Sequence, residues 1–431
     1  MVGAGLRHRY GPQSVTIIGD IAAVVDCLWS ADTAGDSRAA TRLTGFFDNS
    51  RLYPNLVERF LSQLFSPWRI GQLALDNRIV IAPMCQYSAE DGNMTAWHTV
   101  HLGQMALSGA GLLVLEASAV VPEGRITAAD VGLYDDANEA AMARVLEAVR
   151  AYSPIKVAIQ LSHAGRKASS QAPWEGGQQI LPGAPKGWQT YAPSALPHAP
   201  TEDAPVALDA AGMQHIRDGF VQAAKRSARL GLDGIELHAA HGYLLHQFLS
   251  PIANQRTDEY GGSLENRLRF PLEIFDVVRA AFPADKPVWM RVSATDWVEG
   301  GWDIEGTVAL AHALKARGCD AIHVSSGGVS PQQKIALGPN YQVDFARRVK
   351  AETGLPTIAV GLITEAAQAE AIIAGGEADA IGLARAVLYD PRWPWHAAAE
   401  LGAQVDAPKQ YWRSQPAKFK NLFKGSRVGQ R

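Results

Sequence analysis

The chain has 431 residues, a formal net charge of -3 and 47% hydrophobic residues. That length suits a single (β/α)8 barrel with additions, and the apolar fraction supports a large core. The near-neutral charge balance removes the electrostatic case for nucleic acid or an anionic membrane surface as partner.

Residues 1–60 scatter Gly, Ser, Asp and Arg without a sustained helical or strand period. They read as an N-terminal extension, poorly ordered or accessory, with no chemistry of its own. Its apolar stretch at 15–29 is broken by Asp20 and Asp26, which suits neither a membrane span nor a signal peptide. Cys27, Cys85 and Cys319 lie far apart and form no C-x-x-C pair. Neither a disulfide framework nor a thiolate metal site is expected, and a reducing cytoplasm is the natural setting.

From residue 61 onward, short apolar runs rich in Val, Ile and Leu alternate with amphipathic stretches of helical length. The runs are 79–82, 112–117, 156–161, 234–238, 288–292, 321–325, 357–360 and 380–383. Continuous apolarity marks strands buried on both faces, as in a parallel sheet. Eight such units predict a closed (β/α)8 TIM barrel over 61–413. A doubly wound sheet is the alternative, but no G-x-G-x-x-G follows the first run. Helices are predicted over 139–152 and 213–230, the second closed by Gly231. The loop at 163–208, rich in Pro, Gly and Trp, follows the third strand and predicts a lid over the C-terminal face. Residues 414–431 carry Lys418, Lys420, Lys424 and Arg427 and read as a basic, solvated tail.

The chemistry sits at predicted strand ends. His238-Ala-Ala-His241-Gly-Tyr243 follows the fourth strand. Two imidazoles at that spacing can donate N–H to one ligand oxygen and stabilise developing negative charge, and the tyrosine can deliver a proton. Taken alone, H-x-x-H serves structure as often as chemistry, and no third metal ligand of matching spacing accompanies it. Other strand ends carry Pro83, Met84, Cys85 and Tyr87, then Ala117, Gln160, Arg291, Gly361 and Ala384-Arg385. A buried arginine on a central strand needs an anionic or electron-rich partner. The loops after the last two strands are the usual phosphate site of this fold, where Arg385 falls. Arg291 and Arg385 together describe a phosphorylated cofactor, although either alone could be a structural ion pair. In the stretch 250–267, Arg256 and Asp258 are expected to pair locally and Ser263 to cap a helix.

H-A-A-H-G-Y-L followed by R-T-D-E-Y-G-G-S-x-E-N-R resembles the old yellow enzyme family of FMN-dependent ene-reductases. P-M-C-Q-Y at 83–87 and H-A-G-R-K-A at 163–168 are similar to its bacterial xenobiotic-reductase-like subclass. The resemblance runs from about Leu64 to about Arg413. It implies that His238 and His241 bind the activating carbonyl or nitro oxygen of a small-molecule substrate and that Tyr243 protonates its α-carbon. It implies Cys85 beside the flavin and Tyr87 against substrate. Pro83, Met84, Cys85, Ala117, Gln160, Arg291, Gly361, Ala384 and Arg385 match FMN contacts, with Gln160 and Arg291 at the isoalloxazine and Arg385 at the phosphate. Ala384 stands where relatives often have glycine. Arg413 resembles an arginine that reaches a neighbouring subunit's substrate site, which implies a homo-oligomer, dimer or tetramer.

The activity so implied is NADPH- or NADH-dependent reduction of electron-poor alkenes on FMN, with no metal. A dienoyl-CoA reductase-like enzyme carrying an iron–sulfur cluster is disfavoured, because three scattered cysteines cannot supply four ligands. A non-flavin phosphate-binding lyase or isomerase would want a Schiff-base lysine or acid–base carboxylate at the strand ends. A binding module without turnover would have no need of Tyr243.

Overall fold

The structure, a computed structural model, describes residues 62–419 and 421–427, so the expected extension at 1–60 lies outside the described residues. The described chain enters through an antiparallel hairpin, β1 (Trp68–Ile70) and β2 (Leu73–Leu75). Its turn at Gly71 packs against Asp320, which precedes a strand of the barrel, so the hairpin covers the barrel's N-terminal end.

Strands and helices then alternate. β3 (Ile79–Ile81), α1 (Ala96–Ala106), β4 (Leu112–Ala119), α2 (Asp136–Arg150) and β5 (Lys156–Ser162) come first. A long loop holding β6 (Tyr191–Ala192) and β7 (Val206–Ala207) leads to α3 (Ala210–Arg229) and β8 (Gly234–Ala239). After it come α4 (Leu244–Leu249), α5 (Leu264–Ala281), β9 (Val288–Ser293), α6 (Ile304–Ala316) and β10 (Ile322–Ser325). α7 (Val343–Thr353), β11 (Thr357–Ala359), α8 (Ala366–Ala374), β12 (Ala380–Leu383), α9 (Arg385–Tyr389) and α10 (Trp393–Glu400) complete the series. Eight of these strands close into a barrel in the order β3-β4-β5-β8-β9-β10-β11-β12 and back to β3. Each of the eight apolar runs read as a strand forms one, and all eight barrel pairings are parallel.

The side-chain period of two divides each strand between the helical shell and the barrel interior. On β8 and β9, Ile235, Leu237, Val288, Met290 and Val292 are fully buried apolar positions. The alternate positions, Glu236 and Trp289, meet inside the barrel through a 2.6 Å hydrogen bond. The helices α2 and α3 begin three residues before their predicted starts, because Asp135 and Asp209 cap them by accepting from Asn138 and Gly212 backbone N–H. The intervening turn is small or polar and carries no apolar period. Arg256 and Asp258 pair, and Ser263 caps α5, as read from the sequence.

The 163–208 segment holds 3-10 turns at Gly165–Lys167 and Pro173–Glu175 as well as the β6–β7 pair. The tail read as solvated is docked in part. Leu422 and Phe423 are buried with Trp395, Ala398 and Val405, and Val405 N–H donates to the Leu422 carbonyl. Lys424 pairs with Asp406 on the surface. Phe423→Ala should therefore lower stability by about 3 kcal/mol, read by denaturant unfolding. An unchanged midpoint would return the tail to solvent.

Candidate active site

β8 and the turn after it deliver the central cluster. Parity turns His238 into the barrel mouth at the level of Arg291, its register partner on β9. The chain then bends sharply: His241 has φ 56 and Gly242 φ 76. A Cβ on Gly242 would lie 2.1 Å from the Gly328 carbonyl oxygen, and one on Gly328 would lie 2.5 Å from the His241 Cα. Two glycines thus let the loops after β8 and β10 touch backbone to backbone. His241 is anchored in this left-handed conformation by its own N–H, which donates to Ser293 Oγ at 2.9 Å. Tyr87, after β3, is held at φ 50. Strained non-glycine backbone of this kind concentrates at functional sites.

The outcome is a compact triad of rings. The His238 and His241 centroids lie 5.2 Å apart and those of His238 and Tyr243 4.8 Å apart, both edge to face. The Ala240 N–H donates to His238 Nδ1 at 3.3 Å, so the neutral ring carries its proton on Nε2. His241 Nε2 lies 2.8 Å from Ser325 Oγ. Ser325 Oγ also lies 3.3 Å from Gln342 Oε1, which Ser326 Oγ already supplies at 2.6 Å; with the Ser325 hydrogen turned to the imidazole instead, Nδ1–H is left for a ligand.

Electrostatics keep all three groups uncharged. Burial, then the Arg291 charge, drive the His238 and His241 pKa values well below the ordinary imidazole value. Burial pushes the Tyr243 hydroxyl well above its usual value, and does the same for the Cys85 thiol. The site therefore presents neutral imidazoles and a protonated phenol.

The other residues read at strand ends lie at the same end of the barrel. Pro83, Met84, Cys85 and Tyr87 are half-buried after β3, and Ala117 is buried on β4. Gln160 on β5 donates Nε2–H to Glu236 at 2.7 Å. Arg291 is 9% exposed, and its Nε has no partner among the described residues. Gly361 and Ala384 are half-buried and Arg385 is exposed, at the ends of β11 and β12. Arg413 is not brought into this group within the chain. Its 3-10 turn, Lys409–Ser414, is tied by Trp412 to the Ala407 carbonyl, beside the loops at the barrel's N-terminal end.

Sequence reasoning left several groups without a role. Lys167, quoted only within H-A-G-R-K-A, donates to the His241 and Gly328 carbonyls, and its Nζ sits 5.0 Å over the Tyr243 ring. Burial lowers its pKa to about 8. Ser293 and Ser325 orient His241, and Trp174 of the long loop meets the Tyr87 ring edge at 5.5 Å. Lys167 carried a signal in its place within H-A-G-R-K-A, and Trp174 in the Trp-rich loop that predicts a lid. The serines are known by their contacts alone.

Residues 63–404 match the NADH:flavin oxidoreductase / NADH oxidase family. The chain belongs to that family. It is 42% identical over 382 residues to a NADH:flavin oxidoreductase of Gibberella zeae, covering 85% of this chain and 92% of that one. It is 40% identical over 352 residues to an NADPH dehydrogenase of Geobacillus thermodenitrificans, covering 81% and 98%. The structure of morphinone reductase in complex with tetrahydroNAD aligns with a TM-score of 0.65 at 30% identity, covering 85% of this chain and 95% of that one. The chain is an NAD(P)H-dependent flavin oxidoreductase of the old yellow enzyme kind, with FMN as its cofactor. No helix among the described residues is long and apolar enough to cross a membrane.

The site suits that cofactor. Among the described residues Arg291 holds a buried guanidinium Nε without an acceptor, a donor suited to the carbonyl and ring-nitrogen acceptors of a flavin.

The depressed imidazole values can be tested directly. The His238 and His241 ring signals, assigned with His→Gln variants, should not titrate by NMR between about pH 6 and about pH 8. A midpoint near the ordinary value would mean that water and charge reach the rings.

Proposed function

We propose that this oxidoreductase reduces the C=C bond of electron-poor alkenes, α,β-unsaturated carbonyl or nitro compounds, at the His238–His241–Tyr243 cluster. The observation that carries the reading is the pair of neutral imidazole donors beside a protonated phenol, with ring centroids 5.2 Å and 4.8 Å apart. Neutral N–H donors gain strength as negative charge grows on a bound oxygen, and they gain less from the uncharged carbonyl of the ground state. A phenol kept protonated by burial can donate to the α-carbon. His238 Nε2–H and His241 Nδ1–H hold the activating oxygen, Tyr243 gives the proton, and Lys167 over its ring favours the phenolate left behind.

Pro83, Met84, Cys85, Ala117, Gln160 and Arg291 would hold the isoalloxazine. Gly361, Ala384 and Arg385 would hold the phosphate, and Tyr87 would lie against substrate. When bound, FMN would supply the hydride chemistry, with NADPH or NADH as the source of electrons. Cys85, kept as a thiol, serves as a neighbour of the ring rather than as a nucleophile. The FMN-binding unit is residues 61–413. The free thiols Cys85 and Cys319 accord with a reducing cytoplasm. Because Arg413 stands apart from its own site, its role is assigned to the substrate site of a neighbouring copy in a homo-oligomer.

Anaerobic stopped-flow tests the reading, following flavin absorbance near roughly 450 nm, a property of the cofactor. NADPH should bleach the purified protein and 2-cyclohexenone should restore the colour. Tyr243→Phe should leave bleaching intact and slow recovery by about 10²-fold or more. His241→Ala should weaken enone reduction by about 2.7–4 kcal/mol of transition-state stabilisation. Bleaching without enone-dependent recovery would discard the alkene chemistry while keeping the flavoprotein. Arg413→Ala should raise the KM for enone while leaving NADPH bleaching unchanged; unaltered enone kinetics would remove the residue from the site.

A further inference from the structure

Glu236 sits on β8, two residues before His238, with no exposed surface. A carboxylate enclosed by a barrel is costly unless donors and positive charge surround it. Here they do. Its Oε1 accepts from Gln160 Nε2 at 2.7 Å. Its Oε2 accepts from Trp289 Nε1 at 2.6 Å and from His323 Nδ1 at 2.7 Å. Burial alone would push the carboxyl pKa up, but the hydrogen bond from His323, the Arg291 charge and the hydrogen bond from Trp289 outweigh it, so the group stays ionised. Four strands, β5, β8, β9 and β10, thus converge on one buried anion.

The anion dictates what its neighbours show to the barrel mouth. A carboxylate only accepts, so Gln160 must point its amide nitrogen at Glu236. Its Oε1 is left without a donor among the described residues, and it faces any ligand as an acceptor. Arg291, the register partner of both His238 and His323, is buried with no carboxylate of the described residues in ion-pair range and faces the same ligand as a donor. The pyrimidine edge of a flavin carries one ring N–H between two carbonyls and so calls for an acceptor and a donor side by side.

We propose that Glu236 is a positioning residue for the flavin: it orients Gln160 as an acceptor toward the ring N–H and, through its own charge, offsets Arg291 and thereby sets the flavin's reduction potential. This rests on the assignment of Gln160 and Arg291 to FMN. Two-electron reduction adds negative charge to the bound ring, and Arg291 favours that charge. Glu236 opposes it. Removing the Glu236 charge should therefore favour the reduced form.

The test uses holoprotein and measures dissociation constants for oxidised and reduced FMN, with the potential read by dye equilibration. E236Q keeps the shape and loses the charge. The ratio of oxidised to reduced dissociation constants should rise about tenfold, a positive shift of about 30 mV for a two-electron couple. E236D keeps the charge and withdraws it from Gln160. It should weaken binding of both forms about tenfold while leaving their ratio, and so the potential, near wild type. It also serves if E236Q cannot be isolated folded. Wild-type dissociation constants in both variants would overturn the proposal, as would equal changes in both, which would mark a packing defect. Failure of the wild-type protein to bind FMN would overturn the cofactor assignment itself, and enone reduction by a wild type whose variants behave alike would remove Glu236 only.

Discussion

Closing eight parallel strands into a barrel forces every second side chain inward, and water is excluded from the interior they share. Apolar side chains satisfy that condition by packing, but Gln160, Glu236, His238, Arg291, Ser293, His323 and Ser325 cannot. Each buried polar group must find a partner or leave an orphaned atom at real cost. The lower members of the set find partners in one another around Glu236. The upper members, Arg291 above all, keep capacity that the protein does not use. Their unfulfilled donors open toward the C-terminal mouth, where loops of a barrel carry function.

The same exclusion of water sets the protonation of the cluster. In water, histidines near neutrality titrate and a tyrosine stays protonated. Beside the buried Arg291, both rings lose the ability to take a second proton, and burial removes the tendency of Tyr243 to lose its own. Three groups of differing acidity therefore hold one charge state. A surface that changes little with pH and answers mainly to charge developing on a bound oxygen is the electrostatic form suited to this chemistry.

Loops finish what parity begins. His241 accepts left-handed backbone because Gly242 and Gly328 let two loops meet and Ser293 holds the His241 N–H. Lys167 ties the β8 and β10 loops by two carbonyls and lays its charge over Tyr243. Arg166 beside it donates to the Leu196, Pro197 and Val329 carbonyls, so a long loop that would otherwise move freely is stitched to the barrel mouth.

All eight barrel strands were legible in the chain, because a strand buried on both faces must be continuously apolar and this pattern needs no knowledge of its neighbours. The cluster His238, His241 and Tyr243 was legible as a local motif, since its members lie within six residues and one turn brings them together. Other features depended on distant segments meeting. The Glu236 anion reads in sequence as one acidic residue in an apolar run; its donors come from positions 160, 289 and 323. Lys167 acquires its place over Tyr243 only when the β5 and β8 loops are adjacent. The basic composition of residues 414–431 suggested a solvated end, and the two apolar side chains that dock it count only because Trp395 and Val405 wait for them. The sequence by itself determined the barrel, the family and the His238–His241–Tyr243 cluster, because periodicity and short motifs are local. The tertiary structure alone decided the protonation states and the donors left to a ligand, because these depend on what burial removes from water and which strand lies beside which.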